Sequence, residues 1–144
     1  MHAVDSPELH SPRYRYGIDC GGAQIFMYAR SLGIVLRVDG EIDSFNAGRI
    51  ASEIRRFNRV KSPLILDLSN LEFLGIDGFQ ELLALNHEYR AAGLYCSVVA
   101  GLAMRPLLRI VTEHGLPLVH SVPEALQLIE DALPGRRVLQ RLVR

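Results

Sequence analysis

Leu64–Ala92 reads LILDLSNLEFLGIDGFQELLALNHEYRAA, a strand, a loop and a helix in immediate succession. The opening run Leu64–Leu68 is apolar except for Asp67, the composition of a short strand buried on both faces and therefore placed near the middle of a sheet. A turn at Ser69-Asn70 and the segment Glu72-Phe73-Leu74 lead to Gly75-Ile76-Asp77-Gly78. Beyond it Phe79, Leu82, Leu83, Leu85 and Tyr89 recur with the period of a helix that buries one stripe. Backbone N–H groups that open a helix have no partner within it, and the positive end of the helix dipole lies there, so the loop is where chemistry is expected.

Upstream, Gln24–Arg30 suits a strand, Ser31-Leu32-Gly33 a tight turn, and Ile34, Leu36 and Val38 alternate with Val35, Arg37 and Asp39 as in a half-buried strand. A helix follows with Ala47, Ile50, Ala51, Ile54 and Phe57 on one stripe and Ser44 or Asp43 as its cap, until Lys61-Ser62-Pro63 breaks it. Downstream, Gly93 stops the central helix and Leu94–Ala100 is a further strand. Met104, Leu107, Leu108 and Val111 form a third helical stripe, which Pro106 permits only in its first turn and Gly115 closes. Leu118-Val119-His120 is a short strand, and Ser121 with Glu124 has the form of a capping box opening a fourth helix to about Leu133. Strands separated by single helices favour parallel pairing through right-handed crossovers. The expected fold class is α/β: one domain over residues 24–133, a mixed sheet of about five strands with about four helices packed on it. Residues 1–23 read as a flexible N-terminal arm, and residues 134–144 as a basic tail carrying Arg136, Arg137, Arg141 and Arg144.

The chain has 144 residues, 22% charged and 49% hydrophobic, enough for one core. Lys plus Arg equal Asp plus Glu at 16 each, so no global charge points to nucleic acid or an anionic membrane. Cys20 and Cys96 have no metal-ligand spacing and make no disulfide framework, which points to a reducing, cytoplasmic location. No apolar run approaches the roughly 20 residues that span a bilayer.

The pattern Asp67-Leu68-Ser69, Phe73, then Asp77-Gly78-Phe79 before an amphipathic helix resembles the STAS domain family, whose founding members are bacterial anti-sigma factor antagonists. Gly40-Glu41-Ile42-Asp43 resembles the Gly-Glu-x-Asp segment that the family carries before its first helix. The resemblance implies a loop of the type Asp-Ser-Ser-Gly or Asp-Ser-Thr-Gly whose first serine is phosphorylated by a serine kinase that is itself the anti-sigma factor. With the loop glycine on Gly78, that serine falls on Ile76, the loop aspartate on Gly75 and the second hydroxyl residue on Asp77. Isoleucine has no oxygen to accept phosphate, so the usual switch cannot operate at this position.

The resemblance also implies the partner-binding residues Asp43, Gly75, Ile76, Asp77, Gly78 and Phe79. Asp77 reads first as a helix N-cap completed by Gln80, and alternatively as a fixed carboxylate imitating the phosphorylated loop, with less charge than phosphate. Gly75, Ile76 and Phe79 alternatively form an apolar docking spot. Asp43 either caps its helix or shapes the same corner. Ser69 and Ser44 are the hydroxyls near these loops, weak substitutes for the lost phosphoacceptor and more simply turn residues. Asp67 needs hydrogen-bond partners in the turn that follows it.

The five histidines lack two-ligand helical spacing, so no metal is expected, and no nucleophile elbow or phosphate-cradling loop is present. An enzyme built on Asp67, Asp77 and His87 has no supporting spacing. Arg55, Arg56, Arg59 and Lys61 form the densest basic cluster, read as a solvated helix face. The expected function is therefore a cytoplasmic binding module, without cofactor or catalysis, that docks an anti-sigma factor of the histidine-kinase-like ATPase type and frees a sigma factor by competition. The alternative is a non-switching scaffold or self-associating regulator, a homodimer included, with nucleotide or another anion at the helix opening.

Overall fold

The computed structural model describes residues 16–133; the basic tail and residues 1–15 of the arm lie outside the described residues. Among the described residues seven strands form one sheet: β1 Tyr16–Asp19, β2 Ala23–Arg30, β3 Gly33–Ile42, β4 Leu64–Asp67, β5 Leu71–Leu74, β6 Cys96–Val99 and β7 Leu118–Val119. Four α-helices accompany them among the described residues: α1 Ala47–Arg56, α2 Ile76–Ala91, α3 Arg105–Ile110 and α4 Val122–Ala132. The strand order is β1-β2-β3-β4-β6-β7, with β5 beside β3. The first two pairings are antiparallel, and the remainder are parallel. The sheet is thus mixed, as expected, and its centre is the apolar run Leu64–Asp67, held between β3 and β6.

Two strands exceed the expected number. β1 lies in what reads as the loose arm, and it pairs with β2 through the backbone, Gly17 opposite Phe26 and Ile18 opposite Ile25. It is only four residues long, with Ile18 packed against the core between exposed Gly17 and Asp19, too short to stand out from the arm. β5 reads as loop because Leu71 and Leu74 are buried while Glu72 and Phe73 between them are not, a spacing that matches neither template. It pairs with the last residues of β3, Ile42 opposite Leu74, after a register shift between Gly40 and Glu41. β3 is long enough to serve both neighbours, its first half facing β4 and its second half β5.

The main core lies between one sheet face and α1 and α2. It contains Ile50, Ile54, Leu66, Phe79, Leu85 and Tyr89. A smaller core on the opposite face joins Tyr28, Val35, Ile65 and Val99 to Ala125 and Ile129 of α4. Gly93, at φ 73°, ends α2: Leu94 N–H donates to Tyr89 O at 2.8 Å and Gly93 N–H to Arg90 O at 3.0 Å, the paired closure that a left-handed residue allows. The third helix is shorter than its stripe implies. A 3-10 turn, Leu102–Met104, precedes α3, which stops at Ile110. Ser121 Oγ accepts from Glu124 N–H at 3.1 Å as a cap, whereas the Glu124 carboxylate takes the N–H of His120 instead of the cap's own, at 2.6 Å.

Burial pushes the Cys96 thiol from 9.0 up to about 12, and burial followed by the neighbouring Cys96 pushes the Tyr89 hydroxyl from 10.0 up to about 12. The folded chain therefore holds these protons at pH values where the unfolded chain has released them. Stability from both groups is complete below about pH 9 and declines as pH rises toward 12. Urea midpoints across that alkaline range are expected to fall, and Cys96→Ala should remove the thiol's share of the slope.

Candidate docking corner

The ends of β3 and β5 and the opening of α2 meet at one corner. Gly75 N–H donates to Ile42 O at 2.9 Å, which fixes the start of α2 against the end of β3. A Cβ on Gly78 would lie 2.6 Å from Ile42 Cγ2 and 2.8 Å from Leu74 Cδ1, so only glycine lets the helix approach this closely. The N-cap of α2 is Gly75, which has no side chain to offer. This corrects the reading of Asp77 as the cap. Asp77 lies inside the first turn, exposed, where a carboxylate complements the helix dipole without capping.

Asp43 closes the turn between β3 and α1. Its Oδ1 accepts from Phe45 N–H at 2.9 Å and Asn46 N–H at 3.1 Å, while Asn46 Oδ1 accepts from Asp43 N–H at 2.9 Å. Asp43 and Asn46 thus bond reciprocally across the turn, but the N-cap of α1 is Asn46, without a side-chain cap bond, which corrects the reading of Asp43 or Ser44 as the cap. Asn46 is 4% exposed, and its Nδ2 donates to Gly21 O and Glu41 O, each at 2.8 Å. One buried amide thereby joins the β1–β2 turn, the end of β3 and the turn before α1. Asn46 was not among the expected residues, although the Asp-x-x-Asn spacing contains the signal.

Asp67 finds its partners in the following turn: its Oδ1 accepts from Ser69 N–H at 3.1 Å and from Ser69 Oγ at 2.6 Å. The Ser69 hydroxyl is thus engaged beside a carboxylate, a position that would repel phosphate. Ser44 is exposed in the turn between Asp43 and Asn46.

Of the expected docking residues, Ile76 is on the surface at 51% exposure, with Asp77 exposed beside it. Phe79 is not available to any partner: it is 0% exposed and belongs to the main core, with Gly78 buried next to it. The apolar docking spot is therefore made of other residues. A groove of ≈ 770 Å³ runs between Phe73, Gly75 and Ile76 on one wall and Leu102, Pro106 and Leu107 on the other. Leu102 is 71% exposed, and Phe45, on the Asp43 turn, is 94% exposed. Single exposed apolar residues are ordinary, but Phe73, Ile76 and Leu102 share one concavity. No periodicity marks Leu102, because it sits in a loop-like turn whose exposure depends on how α3 packs.

Asp77 and His87 stand ten residues apart on one helix, about 15 Å along its axis, so they do not share a site. Among the described residues no group of three or more His, Cys, Asp or Glu is placed to hold a metal ion, and no helix is long and apolar enough to cross a membrane. Within the basic cluster, Arg55 is not simply solvated. Its Nε lies 2.9 Å from Glu88 Oε1, joining α1 to α2, and that hydrogen bond raises its pKa.

Residues 24–103 match the STAS domain, which embraces the Gly40–Asp43 segment, the central strand and the whole corner. The chain belongs to the STAS domain family. Osmosensory protein A of Mycobacterium tuberculosis is 36% identical over 127 residues, covering 85% of this chain and 80% of that protein. Among solved structures, an anti-sigma factor antagonist from Mycobacterium paratuberculosis has a TM-score of 0.67 at 28% identity, covering 76% of this chain and 95% of that one. The anti-sigma factor antagonist SpoIIAA in its unphosphorylated form has a TM-score of 0.61 at 16% identity, over 76% of this chain and 98% of that one, a likeness of fold. STAS domains of the antagonist type are in general binding modules rather than enzymes.

Proposed function

We propose that this STAS domain is an anti-sigma factor antagonist that docks, in the cytoplasm, a serine-kinase anti-sigma factor of the histidine-kinase-like type, releasing a sigma factor by competition. The observation that carries the reading is the intact corner with an exposed isoleucine, Ile76, at the position where the resemblance puts the phosphoacceptor. An apolar side chain there favours contact with a partner and cannot be turned off by phosphate at that atom. Asp77 adds one negative charge in the first turn, less than the roughly 1.5 to 2 of a phosphoserine. On this reading phosphate at position 76 never closes the surface, and Asp43, Phe45, Phe73, Ile76 and Asp77 face the partner. Gly78 and Phe79 act beneath that surface by holding α2 in place.

The test is a titration of the purified chain against anti-sigma factors of this type from its own cell, with ATP present and the intact mass of the chain recorded. Binding is expected without any gain of phosphate. Ile76→Arg, which places a charge in the contact, is expected to weaken it at least tenfold, the order of 1.4 kcal/mol, with an unchanged melting temperature. Failure of every such factor to bind, or full binding by Ile76→Arg, would overturn the reading.

A further inference from the structure

We propose that the groove between the α2 opening and α3 is a two-fold self-association surface, so that a second copy of this chain covers the docking corner. The regulatory half of this inference rests on the docking reading; the association itself does not.

Along the segment from Leu102 to Ile110, Leu102, Pro106 and Ile110 are all exposed, Ile110 at 78%, and Pro106 and Ile110 lie four apart on one face of α3. The inward side of the segment, Met104, Leu107 and Leu108, packs on the main core. This short segment therefore has apolar residues on both sides, and among the described residues only the inward side is covered. Beside the outward ridge stand Arg105 and Arg109, both exposed and one helical turn apart. The opposite wall of the groove carries Glu72, and the exposed Asp77 is next in sequence to the groove-lining Ile76.

One surface thus joins an apolar centre to a basic edge on α3 and an acidic edge at β5–α2. A two-fold axis through such a groove sets the ridge of each copy against the opposite wall of the other. Arg105 and Arg109 then meet Glu72 and Asp77 twice, as an isologous interface requires. A heterologous partner would need its own matching pair of edges, whereas a second copy supplies them by symmetry. The formal net charge of zero sets no long-range repulsion against this approach. The consequence is a switch without phosphate. Ile76 lines the groove, so a dimer hides the residue that the anti-sigma factor must reach, and the concentration of the chain decides how much of it is free to bind.

Sedimentation equilibrium of the full chain over a concentration series tests this with paired charge reversals. Arg105→Glu with Arg109→Glu makes both edges acidic, and Glu72→Arg with Asp77→Arg makes both basic. Each variant alone is expected to raise the dimer dissociation constant roughly tenfold or more, because like charges then face each other. Their equimolar mixture is expected to restore a heterodimer, since every facing pair is opposite again. Ile110→Glu, which alters no paired charge, should also give a monomer, with melting curves confirming that each variant folds. A wild-type chain that stays monomeric throughout, or two folded variants that fail to associate when mixed, would overturn the proposal. A monomer that binds the anti-sigma factor overturns self-association and leaves docking standing. A dimer that binds no such factor supports the surface and removes the docking reading.

Discussion

Phe79→Ala is expected to lower the unfolding free energy by about 3–5 kcal/mol, while the molecules that remain folded keep their affinity for a partner at the corner. Phe79 is 0% exposed and packs on the inner side of α2 in the same core as Leu74, Leu82 and Leu85. Truncation removes an aromatic ring from a close-packed site whose neighbours are held by the sheet, leaving a cavity that they fill only in part. Against a total of roughly 5–15 kcal/mol for a domain, this is a large fraction, and it corresponds to a fall in Tm of roughly 10–20 °C for a chain of this size. Urea unfolding gives the first quantity. A binding titration corrected for the folded fraction gives the second. If Phe79 instead contributed a surface contact, affinity would fall and the unfolding midpoint would hold, so the pair of measurements separates the two roles. Ile76→Arg is expected to show the reverse pattern, because its side chain is half in solvent and leaves the core untouched.

That contrast between adjacent apolar residues marks where a one-dimensional pattern stops being informative. The central unit is legible in the sequence because burial on both faces demands an unbroken apolar run at Leu64–Leu68, and burial on one face demands the stripe through Leu82, Leu85 and Tyr89. Residues at the seam between loop and helix obey neither rule. Ile76 and Phe79 are both apolar and three apart, and which of them faces the core depends on where α2 begins. Helix capping chemistry favours Asp77 as the N-cap, yet the cap is Gly75, whose N–H is bonded to Ile42 O, a tertiary constraint that overrides the local preference. β1 and β5 escape a sequence reading because each is only four residues long and buries few side chains, Leu71 and Leu74 in β5. Leu102 and Ile110 resemble core residues in composition, and only the short, 3-10-led path of α3 turns them outward. Asp43 and Asp67 were legible because a carboxylate near a turn has few ways to be satisfied other than the local N–H and hydroxyl donors that both of them find.

Gly40→Ala is expected to be as damaging as the loss of the Phe79 ring, by a different route, at about 2–6 kcal/mol. Gly40 has φ 98°, where an L side chain is strained by about 1–3 kcal/mol. An added Cβ would also overlap the carbonyl oxygen of Gly22 and approach Ala23 Cα at 3.0 Å, and forced overpacking adds about 1–3 kcal/mol. Neither neighbour can move cheaply, since Gly22 O accepts Glu41 N–H at 2.9 Å and Ala23 opens β2. The position matters beyond stability because Gly40 begins the pairing of β3 with β5, opposite Leu71. The register shifts between Gly40 and Glu41, where Glu72 is passed over, and this irregularity sets Glu41 opposite Phe73 and Ile42 opposite Leu74. Flattening it would withdraw Ile42 from Leu74 and from Gly75, releasing the α2 opening that presents Ile76. Hydrogen exchange is the discriminating measurement. In Gly40→Ala, amides of β5 and the Gly75 N–H are expected to lose protection by a larger factor than those of β4 and β6. A uniform loss across the sheet would mean that the glycine only contributes to global stability and that the irregularity has no separate part in aiming the corner.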